Sequence, residues 1–172
     1  AYVTGETELA LRALIALQAS LDDDLERAAF ALEAAHLLQR ADDPGRALEA
    51  LNTASDHPLA LEAEAELLRA AKRWEDAAAV YEEAAVHAKD SQRAASLWRA
   101  TACIFEEELG DRERALQAWV TAANTNITYL DIYRRLAAAY RERGLLDELA
   151  RLTDARIDAG ADTPTLVGLL LE

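Results

Sequence analysis

The chain has 172 residues, 52% of them hydrophobic, with 32 acidic against 18 basic side chains and a formal charge of −14. Six Gly, three Pro and an apolar content carried mostly by Ala and Leu, both strong helix formers, argue against a sheet and leave the all-α class. A surface this negative is repelled by nucleic-acid phosphates and anionic lipid, and a lone cysteine, Cys103, forms no intrachain disulfide.

The longest apolar run, 166–171, is far short of the ~18 residues a membrane helix needs. No basic segment followed by an apolar one marks a secretory signal, so the expectation is a cytoplasmic protein without membrane insertion. The chain begins with Ala1 and contains no Met, and its Arg-rich, Lys-poor composition is what a GC-rich genome produces. It is therefore read as a piece of a longer bacterial protein.

The first expected helix, 6–20, places Leu9, Ala13 and Leu17 on one face. Asp22, Asp23 and Asp24 supply capping carboxylates for a second helix that reaches about Arg40, with Ala31, Ala35 and Leu38 as its stripe. Asp42-Asp43-Pro44-Gly45 interrupts the pattern, and Pro44 suits the first turn of a helix carrying Ala47, Leu51 and Ala54. Asp56-His57-Pro58 ends that helix. The next, 59–72, aligns Leu61, Ala65 and Leu68, and after Arg73 a helix from Trp74 aligns Ala77, Tyr81 and Ala84.

Asp90-Ser91 opens the helix that leads into the most regular stretch, 97–122. Trp98, Ala102 and Phe105 stand at i, i+4 and i+7, and Ala115, Trp119 and Ala122 repeat the spacing. Between them Gly110 can end one helix in the left-handed conformation while Asp111 caps the next. The spacing predicts two antiparallel helices whose stripes face each other, with Ala102 and Ala115 allowing close approach. Asn124-Thr125-Asn126 breaks the pattern. A helix over 131–143 carries Tyr133, Ala137 and Tyr140, Gly144 closes it, and a further helix with Leu149, Leu152 and Arg156 ends near Gly160. Thr163-Pro164 reads as the start of another helix.

The residue opening each second-helix stripe falls at Ala47, Ala77, Ala115 and Leu149, at intervals of 30, 38 and 34 residues. Two helices per unit and a mean period of about 34 resemble the tetratricopeptide (TPR) repeat. The resemblance covers about four units over 25–160, with a partial repeat at 1–24 and the start of a further helix at 161–172. Trp98 or Tyr133 takes the family's first aromatic place, Ala102 or Ala137 the small residue, Phe105 or Tyr140 the second aromatic, and Gly110 or Gly144 the turn glycine. The second-helix pattern is matched by Ala77, Tyr81 and Ala84 and by Ala115, Trp119 and Ala122. The first two units have aliphatic residues where aromatics are usual, and Thr153 and Arg156 depart from the pattern in the fourth. An irregular helical solenoid is the competing architecture.

The resemblance implies an α-α superhelix of antiparallel helix pairs, whose first helices line a groove for an extended peptide or a helix of another protein. Groove-facing positions are Leu32, His36 and Gln39, then Glu62, Glu66 and Arg69, then Arg99, Cys103 and Glu106, then Arg134, Ala138 and Arg141. Arg99, Arg134 and Arg141, with Arg135 alongside, suit an acidic stretch of a partner, because guanidinium groups grip carboxylates in bidentate fashion. The alternative is that these Arg pair with neighbouring Glu such as Glu106 and Glu142. The Lys/Asn constellation with which some TPR proteins clamp a C-terminal carboxylate is not present.

There is no phosphate-binding Gly-rich loop, no H-E-x-x-H and no Cys/His group at zinc spacing. His36, His57 and His87 lie in separate segments, Cys103 reads as a part-buried inert thiol, and Glu82-Glu83 and Glu106-Glu107-Glu108 read as charged helix faces. No catalytic, metal or cofactor site is expected, and the chain is not read as an enzyme. The expected function is a protein–protein interaction scaffold or adaptor. The alternatives are an arm of a larger enzyme or of a secretion or motility assembly, and an array that self-associates through its open ends.

Overall fold

A computed structural model describes residues 5–18, 20–54 and 57–160. Every regular element among them is helical, and they fall into two compact units, Ala1–His87 and Ala88–Glu172. The segment 161–172, where a further helix is expected, lies outside the described residues.

The first unit holds α1 (Gly5–Gln18), α2 (Asp24–Arg40), α3 (Pro44–Asn52), α4 (Pro58–Ala70) and α5 (Trp74–His87). The starts follow the sequence signals. The Asp23 carboxylate accepts the N–H groups of Leu25 and Glu26, Asp43 accepts that of Arg46, and Pro44 and Pro58 occupy first-turn positions. His57, expected in the break, caps α4 by accepting the Leu59 N–H on Nδ1 at 3.3 Å. Alanine dominates the contacts: α2 buries Ala28, Ala31, Ala34 and Ala35, and α5 buries Ala77, Ala78, Ala84 and Ala85. These short side chains let α2 lie on α3 and α4 on α5, while Leu38, Leu51, Leu61, Leu68 and Tyr81 fill the remaining space. Full burial of one such Leu is worth about 1.5–3 kcal/mol.

In α1 the structure corrects the sequence. Leu9, Ala13 and Leu17 face solvent, with Leu9 68% and Leu17 50% exposed, and Leu11 and Leu14 on the other side make the packing against the core. The helix carries leucines on two faces, and only the second meets α2. Arg46 of α3 reaches Glu8 at 3.3 Å, which fixes that orientation.

The second unit holds α6 (Ser91–Cys103), which runs into a π-helical turn, Ile104–Glu108, followed by α7 (Arg112–Thr125), α8 (Leu130–Glu142) and α9 (Leu146–Asp158). Here α6 packs on α7, α7 on α8 and α8 on α9. Phe105, Trp119 and Tyr133 are buried as their spacing predicts, but Trp98 is only half-buried. Leu97, Thr101 and Ile104 take the inner positions beside it. Thr153 and Arg156, which leave the repeat pattern, sit in an unbroken α9. Thr153 Oγ1 lies 3.3 Å from the Tyr133 hydroxyl, and Arg156 donates to the Ile127 carbonyl.

The turn inside each pair places a left-handed residue at the same position. Asp42, Lys72, Gly110 and Gly144 all adopt positive φ, between 59° and 68°, each five residues before the opening residue of the second stripe. In three of these turns the N–H after the left-handed residue bonds the carbonyl five places back: Asp43 to Leu38, Arg73 to Leu68 and Leu145 to Tyr140. The turn at Gly110 differs. Asp111 reaches six places back to Phe105 (2.8 Å), and the Leu109 N–H bonds the Ile104 carbonyl five places back (3.1 Å). One extra residue stands between Phe105 and Gly110, and the π turn absorbs it.

Candidate interaction surface

Outward positions on the first helix of each pair are exposed or half-buried, and most of the stripe beside them is buried, with Trp98 and Tyr140 half-buried. In the first unit Leu32 is half-buried, His36 and Gln39 are exposed on α2, and α2 packs directly on α4, where Glu62 is half-buried and Glu66 and Arg69 are exposed. Glu66 is internally engaged. It accepts the Tyr81 hydroxyl and, at 2.7 Å, an Arg69 guanidinium N–H. Burial would raise the pKa of Glu66, but the bonds from Tyr81 and Arg69 outweigh it and hold the carboxyl below its usual range. Burial and the Glu66 charge together push the Tyr81 phenol upward.

In the second unit the Arg residues divide. Arg99 pairs with Asp131 at 2.6 Å, and Arg135 pairs with Glu106 at 3.0 Å and Glu107 at 3.5 Å. Arg134 is exposed and makes no hydrogen bond or ion pair among the described residues, and Arg141 is half-buried. Two members of the expected cationic group are thus neutralised within the chain, one of them by Glu106, as the alternative reading had it. Cys103, half-buried, has its thiol pushed up by burial and by Glu107 against the opposing pull of Arg135 and Arg99, which keeps it a poor nucleophile.

Sequence reasoning missed a cleft of about 790 Å³ in this unit. Its floor is Ala115, Leu116 and Trp119 of α7 with Ala139 of α8, and its rim is the π turn, Gly110, Arg112, Glu142 and Arg143. The Trp119 indole donates to Glu106 at 3.1 Å, so the Glu106 carboxylate holds both Trp119 and Arg135. Arg143 pairs at 3.1 Å with Glu113, itself 81% exposed, and neither Arg112 nor Glu142 has a partner among the described residues. The signal was present: Phe105 stands five residues before its turn glycine, whereas Tyr140 stands four before Gly144.

Among the described residues no group of three or more His, Cys, Asp or Glu is placed to hold a metal ion, and no helix is long and apolar enough to cross a membrane. No protein-family model and no curated protein matches the chain. Among solved structures, a crystal structure of MamA superposes with a TM-score of 0.56 at 16% identity over 90% of this chain and 88% of that one. A second MamA structure gives 0.54 at 15% identity, over 90% and 82%. PilF of Pseudomonas aeruginosa gives 0.51 at 15% identity, over 95% and 82%. The chain has a TPR-type, all-α helical solenoid fold.

Proposed function

We propose that the chain is a non-catalytic interaction scaffold that takes a peptide or helix of another protein on the outward faces of its first helices. One observation carries this reading. Repeated helix pairs leave outward positions exposed or half-exposed on α2, α4, α6 and α8, and most of them bear polar or charged side chains. The TPR-type fold supports it, because stacked repeats present extended surfaces rather than enclosed reaction sites. Within the face, Arg134 is the guanidinium best placed to meet a partner carboxylate, since Arg99 and Arg135 already hold Asp131 and Glu106.

The test is capture of partners from the source cell by the wild-type chain and by an Arg99→Glu/Arg134→Glu form, with helical content checked by circular dichroism. A protein held only by wild type supports a binding face on α6 and α8. Equal capture moves the face elsewhere, and no capture removes the scaffold reading. A second reading, self-association, draws on the exposed Leu9, Ala13 and Leu17 row of α1. Sedimentation that shows a concentration-dependent mass, abolished by Leu9→Glu/Leu17→Glu, would favour it.

A further inference from the structure

We infer that the outward stripe of α2 takes a basic, apolar segment of the partner protein: a helix with apolar side chains seven residues apart and Lys or Arg beside them. The inference rests on the scaffold reading and adds the partner's chemistry and the unit that meets it.

The apolar pattern sets the first requirement. Leu25, Ala29 and Leu32 stand at i, i+4 and i+7 on α2, so they share one face, and Leu25 to Leu32 spans about 10 Å along the helix. Ala28, Ala31 and Ala35 beside them are buried, whereas Leu25 is 57% exposed, Ala29 is exposed and Leu32 is half-buried. Among the described residues of α2, α4, α6 and α8, Leu25 is the one large hydrophobic side chain that is exposed. Leu32 and Ala63 of α4, both half-buried, pack on the same core cluster, and α2 and α4 are in direct contact. Apolar positions at this spacing on an outward helix face match the i, i+4, i+7 anchors of a docked amphipathic helix.

Charge sets the second. Residues 1–87 carry 18 acidic and 7 basic side chains, a formal −11, whereas 88–172 carry 14 and 11, a formal −3. Most cations of the first unit are already held: Arg27 by Asp24, Arg46 by Glu8, Arg69 by Glu66 and Arg73 by Asp76. The carboxylates beside the stripe are not. Glu26 follows Leu25 and Glu33 follows Leu32, so each leucine has a carboxylate on the same flank, about 100° round the helix. Both are exposed and make no side-chain hydrogen bond or ion pair among the described residues, and Arg40 is the one uncommitted cation on α2. The field of the unit draws a cationic segment towards this row and repels an acidic one. In the second unit the outward positions bear Arg99, Arg134 and Arg141, so the preference for a basic segment belongs to the first unit alone.

The experiment titrates the isotope-labelled 172-residue chain with short Ala-based helical peptides, acetylated and amidated at their ends. The probe carries two Leu seven residues apart, each followed by Lys. Analogues carry Gln or Glu in place of both Lys, or Ala in place of both Leu. The expected result is a saturable shift of the Leu25 and Leu32 methyl resonances, with the Gln and Ala analogues each bound about tenfold more weakly and the Glu analogue not bound. Added salt should weaken the Lys probe and leave the Gln analogue unchanged. Glu26→Gln/Glu33→Gln should remove the preference for Lys, Leu25→Ser should weaken the Lys and Gln peptides alike, and Arg134→Glu should change neither. These side chains are exposed, and unaltered helical content confirms that each variant is folded. Absence of saturable binding up to the peptide's solubility, equal affinity for the Lys and Gln probes, or shifts confined to the second unit would each overturn the inference. So would undiminished binding of the Ala analogue, which would reduce the site to charge attraction without an apolar anchor. The scaffold reading survives these failures and falls only when the capture experiment finds no partner.

Discussion

Trp119 and Glu106 are joined at 3.1 Å across the α6–α7 pair, indole N–H to carboxylate, and the same carboxylate holds Arg135 of α8. One acidic side chain on the π turn thereby ties three successive helical segments together. Replacing Glu106 by Ala leaves a buried ring with an unpaired N–H, a loss of about 1–3 kcal/mol. Urea denaturation of the chain should show it. In a Trp119→Phe background, where there is no N–H to strand, Glu106→Ala should cost measurably less. Equal costs in both backgrounds would mean that the bond contributes nothing.

The left-handed turn residue makes a second prediction. Gly110 and Gly144 adopt φ of +66° and +68° without penalty, whereas Lys72 adopts φ 59° with a side chain attached. A residue with a Cβ costs about 1–2 kcal/mol in that conformation. Lys72→Gly should therefore stabilise the first unit by about 1 kcal/mol, and Gly110→Ala should destabilise the second by a similar amount. Midpoints of thermal or urea unfolding that move in the same direction for both changes would contradict the argument.

The paired-helix architecture was legible because it rests on local rules: stripes at i, i+4 and i+7, Asp caps, Pro in first turns and a period near 34 residues. Even the turns without glycine followed the rule, since Asp42 and Lys72 occupy the position of Gly110 and Gly144. What the sequence concealed depends on choices between equally apolar or equally charged neighbours. In α1 periodicity offers two leucine faces, and only the packing against α2 and the Glu8–Arg46 pair select Leu11 and Leu14. On α8, Arg134 and Arg135 are adjacent and chemically identical, yet only Arg135 is within reach of Glu106 and Glu107. Such pairings come from the angle between helices, which no single-helix pattern encodes.

The Arg99–Asp131 pair predicts a specific pH response. Burial would raise the Asp131 pKa, but the hydrogen bond and charge of Arg99, with the Ile132 and Asp131 backbone N–H groups, hold it below the ordinary value. A carboxyl depressed in the folded state stabilises the fold above its unfolded pKa of about 3.9 and loses that contribution as pH falls through the folded value. The second unit should thus weaken in the acid range below about pH 4, and Asp131→Asn should flatten that limb by losing the same small contribution at neutral pH. Both partners are roughly half-exposed, with side chains 44% and 47% accessible, so the neutral-pH cost is expected to stay within about 1 kcal/mol. An acid limb identical in wild type and Asp131→Asn would assign it to other carboxylates.

The π turn itself predicts the outcome of a one-residue deletion. The other three pairs close with the N–H after the left-handed residue bonded five places back, and at Gly110 the bond spans six because one residue is in excess. Removing Glu108, which is exposed, would let 104–109 close as regular α-helix with Gly110 still left-handed. No buried side chain is removed and π hydrogen bonds are exchanged for α ones, but freeing the buried Trp119 N–H from Glu106 costs about 1–3 kcal/mol, so the deletion should destabilise the second unit by up to that amount. The cleft should not survive the repair. Glu106 and Glu107 would rotate relative to α7 and α8, freeing the Trp119 indole and Arg135. A changed Trp119 indole resonance in a chain with unaltered helical content is the expected signature. An unchanged resonance would mean that Glu106 reaches Trp119 without the bulge, and that the extra residue serves the turn alone.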